Sequence, residues 1–454
     1  MSIEPIPLET ATSRLQEDHA ILHAADLESR TKEREPSVVE EQQQQQDAGF
    51  VEGSVRGWCA VAGAFLILLC TFGYANSFGV YQSYYQLNQY RHLSASTISW
   101  IGSTSLGIEF CFAFVSGPLF DRGYFRPLLI TGSVGFVVCL FMTSLCTQYW
   151  QTFLAQAVGM GASMGLMFMP AISVLNHYFL ARRSFVMGVA MSGASIGGII
   201  FPIMLNHLFA SIGFAAGVRA SGYVVIAGFV AANILTTARY PPVKRDEQGM
   251  KRRRPSPVKL LKEPRYALSV IGTTAVVLGA FFPISYIQVF AEAAQLPRNV
   301  SDNVLSILNA SSFFGRLGLT YAADSLGTFT VLATCTGGIS VLIFALYGAT
   351  SPAGVIIFAI LFGFFTGSFF ALLSPLLIST ADDISEIGMR QGLALLLNGL
   401  AALVCSPIAG ALLAAGHDDF KYAIAFAGAV TAFGAVTMLG ARHFQARQLG
   451  TWRV

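Results

Sequence analysis

The chain has 454 residues, of which 54% are hydrophobic and only 12% charged. Soluble domains carry about 25% charged residues, so the polar surface needed to cover a water-soluble particle is missing and the composition points to a membrane protein. A net charge of +3 is too small to imply a nucleic-acid partner.

Residues 1–55 are polar, include the run Gln42–Gln46 and lack a long apolar stretch. They are expected to form a disordered cytosolic tail with no secretory signal. Twelve apolar runs follow, near 58–84, 95–119, 127–147, 150–175, 184–208, 219–239, 266–291, 302–322, 328–348, 353–378, 390–414 and 420–440. Each has about 20 residues or more, enough for a helix to cross a hydrocarbon core of about 30 Å. Helices are the expected solution, because lipid offers no partner to an exposed peptide group. The breaks are short except for a polar stretch at 240–265.

Basic residues set the expected orientation. With the N-terminus in the cytosol, Arg122, Arg126, Arg182, Arg183, Arg390, the basic stretch from Arg239 to Arg265, and Arg442, Arg447 and Arg453 all fall on the cytosolic side. Only Arg91, Arg219, Arg298 and Lys421 fall opposite. Both termini are therefore expected inside, with 442–454 as a C-terminal tail. The cluster Lys251–Arg254 reads either as a solvated topology signal or as a contact for anionic lipid.

Similar features recur at a nearly constant offset. Asp121 and Asp324 each end an apolar run before a Gly-containing turn. Gly161 and Gly165 are matched by Gly363 and Gly367, and Pro202-Ile203 by Pro407-Ile408. This predicts an all-α membrane fold of two parallel six-helix halves, 56–239 and 266–441, joined by the basic linker 240–265. The small-xxx-small spacings let helix backbones approach closely.

Four stretches carry a resemblance to a known family. They are Trp58–Tyr85, with Asn76-Ser77-Phe78-Gly79-Val80-Tyr81-Gln82-Ser83-Tyr84-Tyr85; Gly117–Arg126; Tyr178–Gly198; and Gly315–Gly327, followed by Gly388-Met389-Arg390-Gln391-Gly392 and Ser406-Pro407-Ile408-Ala409-Gly410. Over residues 55–445 the chain resembles the major facilitator superfamily, and within it the fungal monocarboxylate-porter-like branch. The resemblance implies a secondary transporter working by alternating access, as a monomer, with a small-molecule substrate and no cofactor. It places Asp121, Arg122, Arg126 and Asp324 in conformational gating, with a static structural pairing as the alternative. A carboxylate at a helix end pairs with a guanidinium or a neighbouring helix N-terminus, and rocking breaks that contact. Family habit favours the plasma membrane, with the vacuolar membrane as the rival.

Ionisable groups at membrane depth are functional candidates by default. Arg316 resembles the arginine that contacts the carboxylate substrate in proton-coupled animal relatives, and a guanidinium holds a carboxylate through two parallel hydrogen bonds; the alternative is a static partner for Asp324 or for a backbone carbonyl. Those relatives carry an Asp where this chain has Ser312, and a Lys in the first helix where 58–84 has neither Lys nor Arg. Simple lactate–proton cotransport is therefore disfavoured. Glu109 lies on a small, polar helical stripe with Gly102, Ser105, Ala113 and Ser116. It is a candidate proton carrier, a protonated, hydrogen-bonded packing residue, or the partner of an ion elsewhere. Asn76, Asn309 and Asn398 either line a cavity or bond between helices. Tyr81, Tyr84 and Tyr85 read as an interfacial aromatic belt or, alternatively, a substrate gate. Asn299-Val300-Ser301 is a glycosylation acceptor pattern in a loop expected outside.

The seven cysteines all fall in apolar runs without a CxxC pair, as small buried hydrophobes would. No metal-ligand spacing surrounds His177 or His207. No hydrolase elbow or phosphate-binding glycine loop is present, so an enzyme is disfavoured. The expected function is proton-linked secondary transport of a small organic acid or related metabolite. The alternatives are efflux of a fungal secondary metabolite, or a membrane sensor that keeps the fold without transporting.

Overall fold

The computed structural model describes residues 53–238, 257–301, 303–381, 387–415 and 419–453. The polar tail before residue 53 and the Lys251–Arg254 cluster lie outside the described residues. Those from Gly53 onward cluster as one compact unit, and no strand occurs among them.

Twelve long helices follow in order. They are α1 (Val55–Gln89), α2 (Ala95–Asp121), α3 (Phe125–Thr143), α4 (Tyr149–His177), α5 (Arg183–Ile212) and α6 (Phe214–Leu235). After the linker come α7 (Pro264–Ala293), α8 (Val304–Leu326), α9 (Thr328–Gly348), α10 (Pro352–Ser379), α11 (Ile387–Ala415) and α12 (Lys421–Leu449). Eleven of these are long and apolar enough to cross a membrane. The one left out is α8, which carries Asn309, Ser311, Ser312 and Arg316 in mid-helix.

Local chemistry sets several boundaries. Ser54, Ser94 and Ser351 begin α1, α2 and α10 by accepting from the amides of Gly57, Thr97 and Gly354 at 3.2, 3.1 and 3.1 Å. Single glycines with positive φ separate α5 from α6 (Gly213, φ 80°) and α8 from α9 (Gly327, φ 93°), a conformation a side chain would strain.

Glycines also set the packing. A Cβ on Gly161 or Gly165 of α4 would stand 2.6 Å from the Ser105 carbonyl oxygen or 2.2 Å from that of Glu109 in α2. In α10, Gly363 and Gly367 approach the carbonyl oxygens of Leu308 and Ser312 in α8 just as closely, at 2.3 and 2.5 Å. The repeated glycine pairs thus place α4 on α2 and α10 on α8 in the same way.

Two departures from the sequence expectations and one addition to them matter for function. First, α1 is not continuous: a turn at Asn76-Ser77 interrupts it, and π-helical stretches occupy Leu69–Gly73 and Tyr85–Gln89. Such wide turns are uncommon and concentrate at functional positions. Second, α12 runs on to Leu449 rather than ending near 440. Polar contacts hold its last turns to the other helices: Arg442 Nε donates to Thr330 Oγ1 at 2.9 Å, and Gln445 Nε2 to the Ser379 carbonyl at 3.2 Å. Third, the linker ends in a docked segment, a feature the sequence reading did not address. Leu260 is buried with Tyr266, Val270, Leu377 and Ala394 in a small cluster of its own.

Candidate functional site: a central cavity closed at one end

A cavity of about 990 Å³ lies between the two sets of six helices. At one end its walls reach the exposed residues Ser83, Ser96 and Glu292, beside the α1–α2 and α7–α8 connections. Most of the lining is aromatic, methionine or aliphatic. Among the described lining residues Arg316 is the one cation and Glu292 the one anion.

The other end is shut by two helix pairs, α2 with α11 and α5 with α8. Gly399 and Gly392 of α11 sit against Phe110 and Phe114 of α2, and Gly117 faces the Gly388 carbonyl. Across the second pair, Ser195 Oγ donates to Ser312 Oγ at 3.3 Å, and Gly188 leaves room for the Arg316 carbonyl and Thr320. Asp324 finishes this seam. Its two carboxylate oxygens accept from the backbone amides of Ser184 and Phe185, at 2.9 and 3.0 Å, in the first turn of α5. This is charge-assisted capping across the interface between halves, where the helix dipole favours an anion.

Arg316 is 8% exposed and lines the cavity just above this seam. One of its terminal nitrogens donates to the Met191 carbonyl of α5, while its Nε is buried without an acceptor. A guanidinium has five N–H donors, so donors remain for a ligand. Asn76 and Asn309 also line the cavity. Their amides meet where Gly198 lacks a side chain: a Cβ there would lie 2.8 Å from Asn76 Nδ2 and 3.2 Å from Asn309 Nδ2. The break in α1 is what brings Asn76 to this point.

The remaining candidates lie elsewhere. Asn398 does not line the cavity; its Oδ1 accepts from Thr274 Oγ1 of α7 at 2.9 Å, so it serves the α7–α11 interface. Glu109 is fully buried at the α2–α4 contact, one turn from the cavity residues Ser105 and Leu106, and neither carboxyl oxygen has a hydrogen-bond partner. Arg126 donates to the Asn233 carbonyl at 2.5 Å, tying α3 to α6 on its own side of the molecule. Arg122 is exposed just after α2. The side chains of Asp121 and Asn299 lie outside the described residues. Asn299 belongs to a short helical turn, Arg298–Ser301, in which Ser301 is buried.

Two readings change. Tyr81 and Tyr85 are not an interfacial belt; they are buried. The hydroxyl of Tyr74 bonds those of Tyr81 and Ser221, and Tyr85 donates to Gln156 at 2.8 Å. Tyr84 stacks on Phe214, with centroids 4.3 Å apart. The buried hydroxyls need partners, and α4 and α6 supply them. Arg390, expected to be a loop cation, is fully buried. It pairs with Glu263 through contacts of 2.8 and 3.0 Å and lies over the Tyr266 ring at 5.2 Å. Protein surrounds Arg390 on every side, and a guanidinium so buried is stable only when paired.

A family model described as Major Facilitator Superfamily matches residues 64–353. The chain belongs to that superfamily. It is 35% identical to the "Aspyridones efflux protein apdF" of Emericella nidulans, across 91% of this chain and 83% of that protein. It is 35% identical to the "MFS transporter asaE" of Aspergillus flavus, across 86% and 88% of the two chains. Among solved structures, the fucose:proton symporter of E. coli matches with a TM-score of 0.65 at 14% identity, covering 84% of this chain and 98% of that one. A bacterial homologue of the iron transporter ferroportin matches at 0.66, also at 14% identity, with 85% and 99% covered.

This superfamily member is therefore a membrane transporter with the superfamily's helical fold. Sequence reasoning missed Gln391 of α11. It is 1% exposed, lines the closed part of the cavity and donates to Ser374 Oγ at 2.5 Å. It stands inside the Gly388–Gly392 stretch that carried the resemblance, beside the more conspicuous Arg390.

Proposed function

We propose that this transporter exports a mid-sized, largely apolar metabolite whose acidic or hydrogen-bond-accepting end is held by Arg316. The observation that carries the reading is the cavity. Its volume of about 990 Å³ stands at the top of the range of roughly 300–1,000 Å³ that suits drug-sized ligands. A lactate-sized acid would leave most of it filled with water. The apolar lining fits a carbon skeleton, and the Arg316 fork supplies one point of polar recognition. The Asn76 and Asn309 amides offer neutral hydrogen bonds beside it.

Efflux rather than uptake is supported by the relatives, among which the aspyridones efflux protein and the fujikurins efflux protein of Gibberella fujikuroi bear that direction in their names. In our reading the closed end faces the cytosol, as the distribution of Lys and Arg favours. The geometry is then the state that releases cargo outward, and the plasma membrane suits that direction. The cycle alternates through parting of the α5–α8 and α2–α11 seams, with Asp324 as one latch and Asp121 at the matching turn as the other. Glu109 is our candidate for a coupling proton carrier. The transporter works as a monomer and performs no catalytic step.

Metabolite profiling of cells and medium, in deletion and overexpression strains, tests the reading. Deletion is expected to trap in cells a compound with an apolar body and an acidic group, and overexpression to move it to the medium. Arg316→Ala at normal surface abundance should reproduce the deletion. Identical media in all strains, or accumulation in the medium on deletion, would overturn it.

A further inference from the structure

The wide turns of α1 have a counterpart in α4, where a π-helical stretch occupies Phe153–Gly159. It meets the second wide turn of α1, Tyr85–Gln89. There the hydroxyl of Tyr85 donates to Gln156 Oε1 at 2.8 Å. Two further bonds flank this one. The hydroxyls of Tyr90 and Thr152 meet at 2.6 Å, and Gln89 Nε2 donates to the Cys146 carbonyl at 2.6 Å. The ends of α1 and α4 at the open side of the cavity are thereby fixed to each other. Wide turns carry side chains out of the regular helical register, and they recur at functional sites.

The side chain so placed is Gln156. Tyr85 is fully buried and stands behind the cavity wall, whereas Gln156 lines it. An amide carries its acceptor and its two donor protons on separate branches. A phenol gives its proton readily and accepts poorly, so the bond to Tyr85 holds the amide with its oxygen turned away from the cavity. Among the described residues none accepts from Nε2, and that atom is not sealed in protein. Its protons therefore face the cavity.

Gln156 and Arg316 belong to different halves and stand at different depths. Both α4 and α8 begin at the open side. Gln156 lies roughly two turns along α4, and Arg316 more than three along α8. At about 1.5 Å of rise per residue, the amide is nearer the mouth by roughly 7–8 Å.

We propose that Gln156 is a further recognition point for the cargo, donating from Nε2 to a neutral carbonyl oxygen, and that Tyr85 is its positioning residue. The cargo class follows from the placement. It is a molecule with an acidic end deep against Arg316 and a ketone, ester or amide oxygen nearer the mouth, joined by an apolar spacer. This inference rests on the reading of the central cavity as the cargo site. An acid without the second group leaves the amide protons to water. The site then favours the carbonyl by the net worth of one neutral hydrogen bond, about threefold to tenfold in affinity.

The test compares ω-benzoylalkanoic acids with ω-phenylalkanoic acids of equal length, over a range of lengths, so that each pair differs by one carbonyl. Dissociation constants are measured on the full chain in phosphatidylcholine nanodiscs, with uptake by empty discs subtracted. At one length or more the benzoyl acid is expected to bind about threefold to tenfold more tightly than its phenyl partner. In Gln156→Met, and separately in Tyr85→Phe, that ratio falls towards one while the phenyl acids bind as before. A merely structural loss would weaken both acids alike and leave the ratio in place. Arg316→Ala weakens both acids of every pair. Suppose the acids bind through Arg316, but the ratio is one at every length or survives either substitution. The inference is then overturned and the cargo reading stands. If neither series binds, or Arg316→Ala changes nothing, both are overturned together.

Discussion

The α2–α4 contact and the α8–α10 contact are built on the same frame and carry different chemistry. In both, a pair of glycines four residues apart brings one backbone against its neighbour's carbonyls. Beside the first contact the frame holds Glu109, sealed from the cavity. At the matching position of the second stands Ser312, on the cavity wall, with Arg316 one turn further on where α2 has Ala113. The duplication therefore fixes the backbone approach, while the ionisable groups differ between halves. Repeated glycines are evidence about packing; unrepeated charges are evidence about function.

Substitutions can break or sharpen this comparison. The largest effect is expected from Arg390→Ala, which leaves Glu263 without its buried partner and has no counterpart pair described in the first six helices. A loss of about 3–5 kcal/mol is the usual cost of breaking such a pair, read as a steep fall in folded yield and Tm in detergent. Next comes Arg316→Ala. Removing a desolvated guanidinium from a bound polar group costs about 2–5 kcal/mol, so export at matched surface abundance should drop by more than tenfold, with Arg316→Lys between. Gly165→Ala and Gly367→Ala should each lose about 1–3 kcal/mol through overpacking. Near-equal Tm losses would support the shared frame, and a loss in one alone would break it.

Asp324→Asn comes next. It keeps the shape of the cap, but its NH2 group cannot accept, so one of the two amide bonds is lost and the other loses its charge assistance, a loss of about 1–3 kcal/mol. The expected readout is a broader distance between the α5 and α8 ends, with the protein still in the membrane. Glu109→Gln should have the smallest effect on folding, because both oxygens already lack partners. Its signature is a flattened pH dependence of transport. A pH profile identical to that of the unmodified protein removes Glu109 as the proton carrier.

Much of this arrangement was legible in the residues. The spans, the paired glycines and the two Asp turns all follow from hydrophobic length and local spacing. Even the Asp324 cap was anticipated in kind, since a carboxylate before a Gly turn needs donors and helix N-termini offer them. What escaped was set by partners distant in the chain. Arg390 looked like a loop cation because its acid, Glu263, stands at the far end of the linker. Tyr81 and Tyr85 looked like membrane anchors because their acceptors lie on α4 and, through Tyr74, on α6. The break at Asn76-Ser77 has no proline or positive-φ glycine to announce it. The length of α12 was cut short because its last turns are polar, and hydropathy alone cannot see the helices they lean on.

The cap on α5 has a consequence for how the protein can be tuned. Its donors are main-chain N–H groups of Ser184 and Phe185, which every amino acid except proline provides. Changes of side chain at those two positions, proline apart, leave the bonds in place, so the cap itself is adjustable only through the acid opposite. If Asp324 is the latch we propose, its side chain is the one part of this cap that substitution can tune, beside the packing of the seam itself.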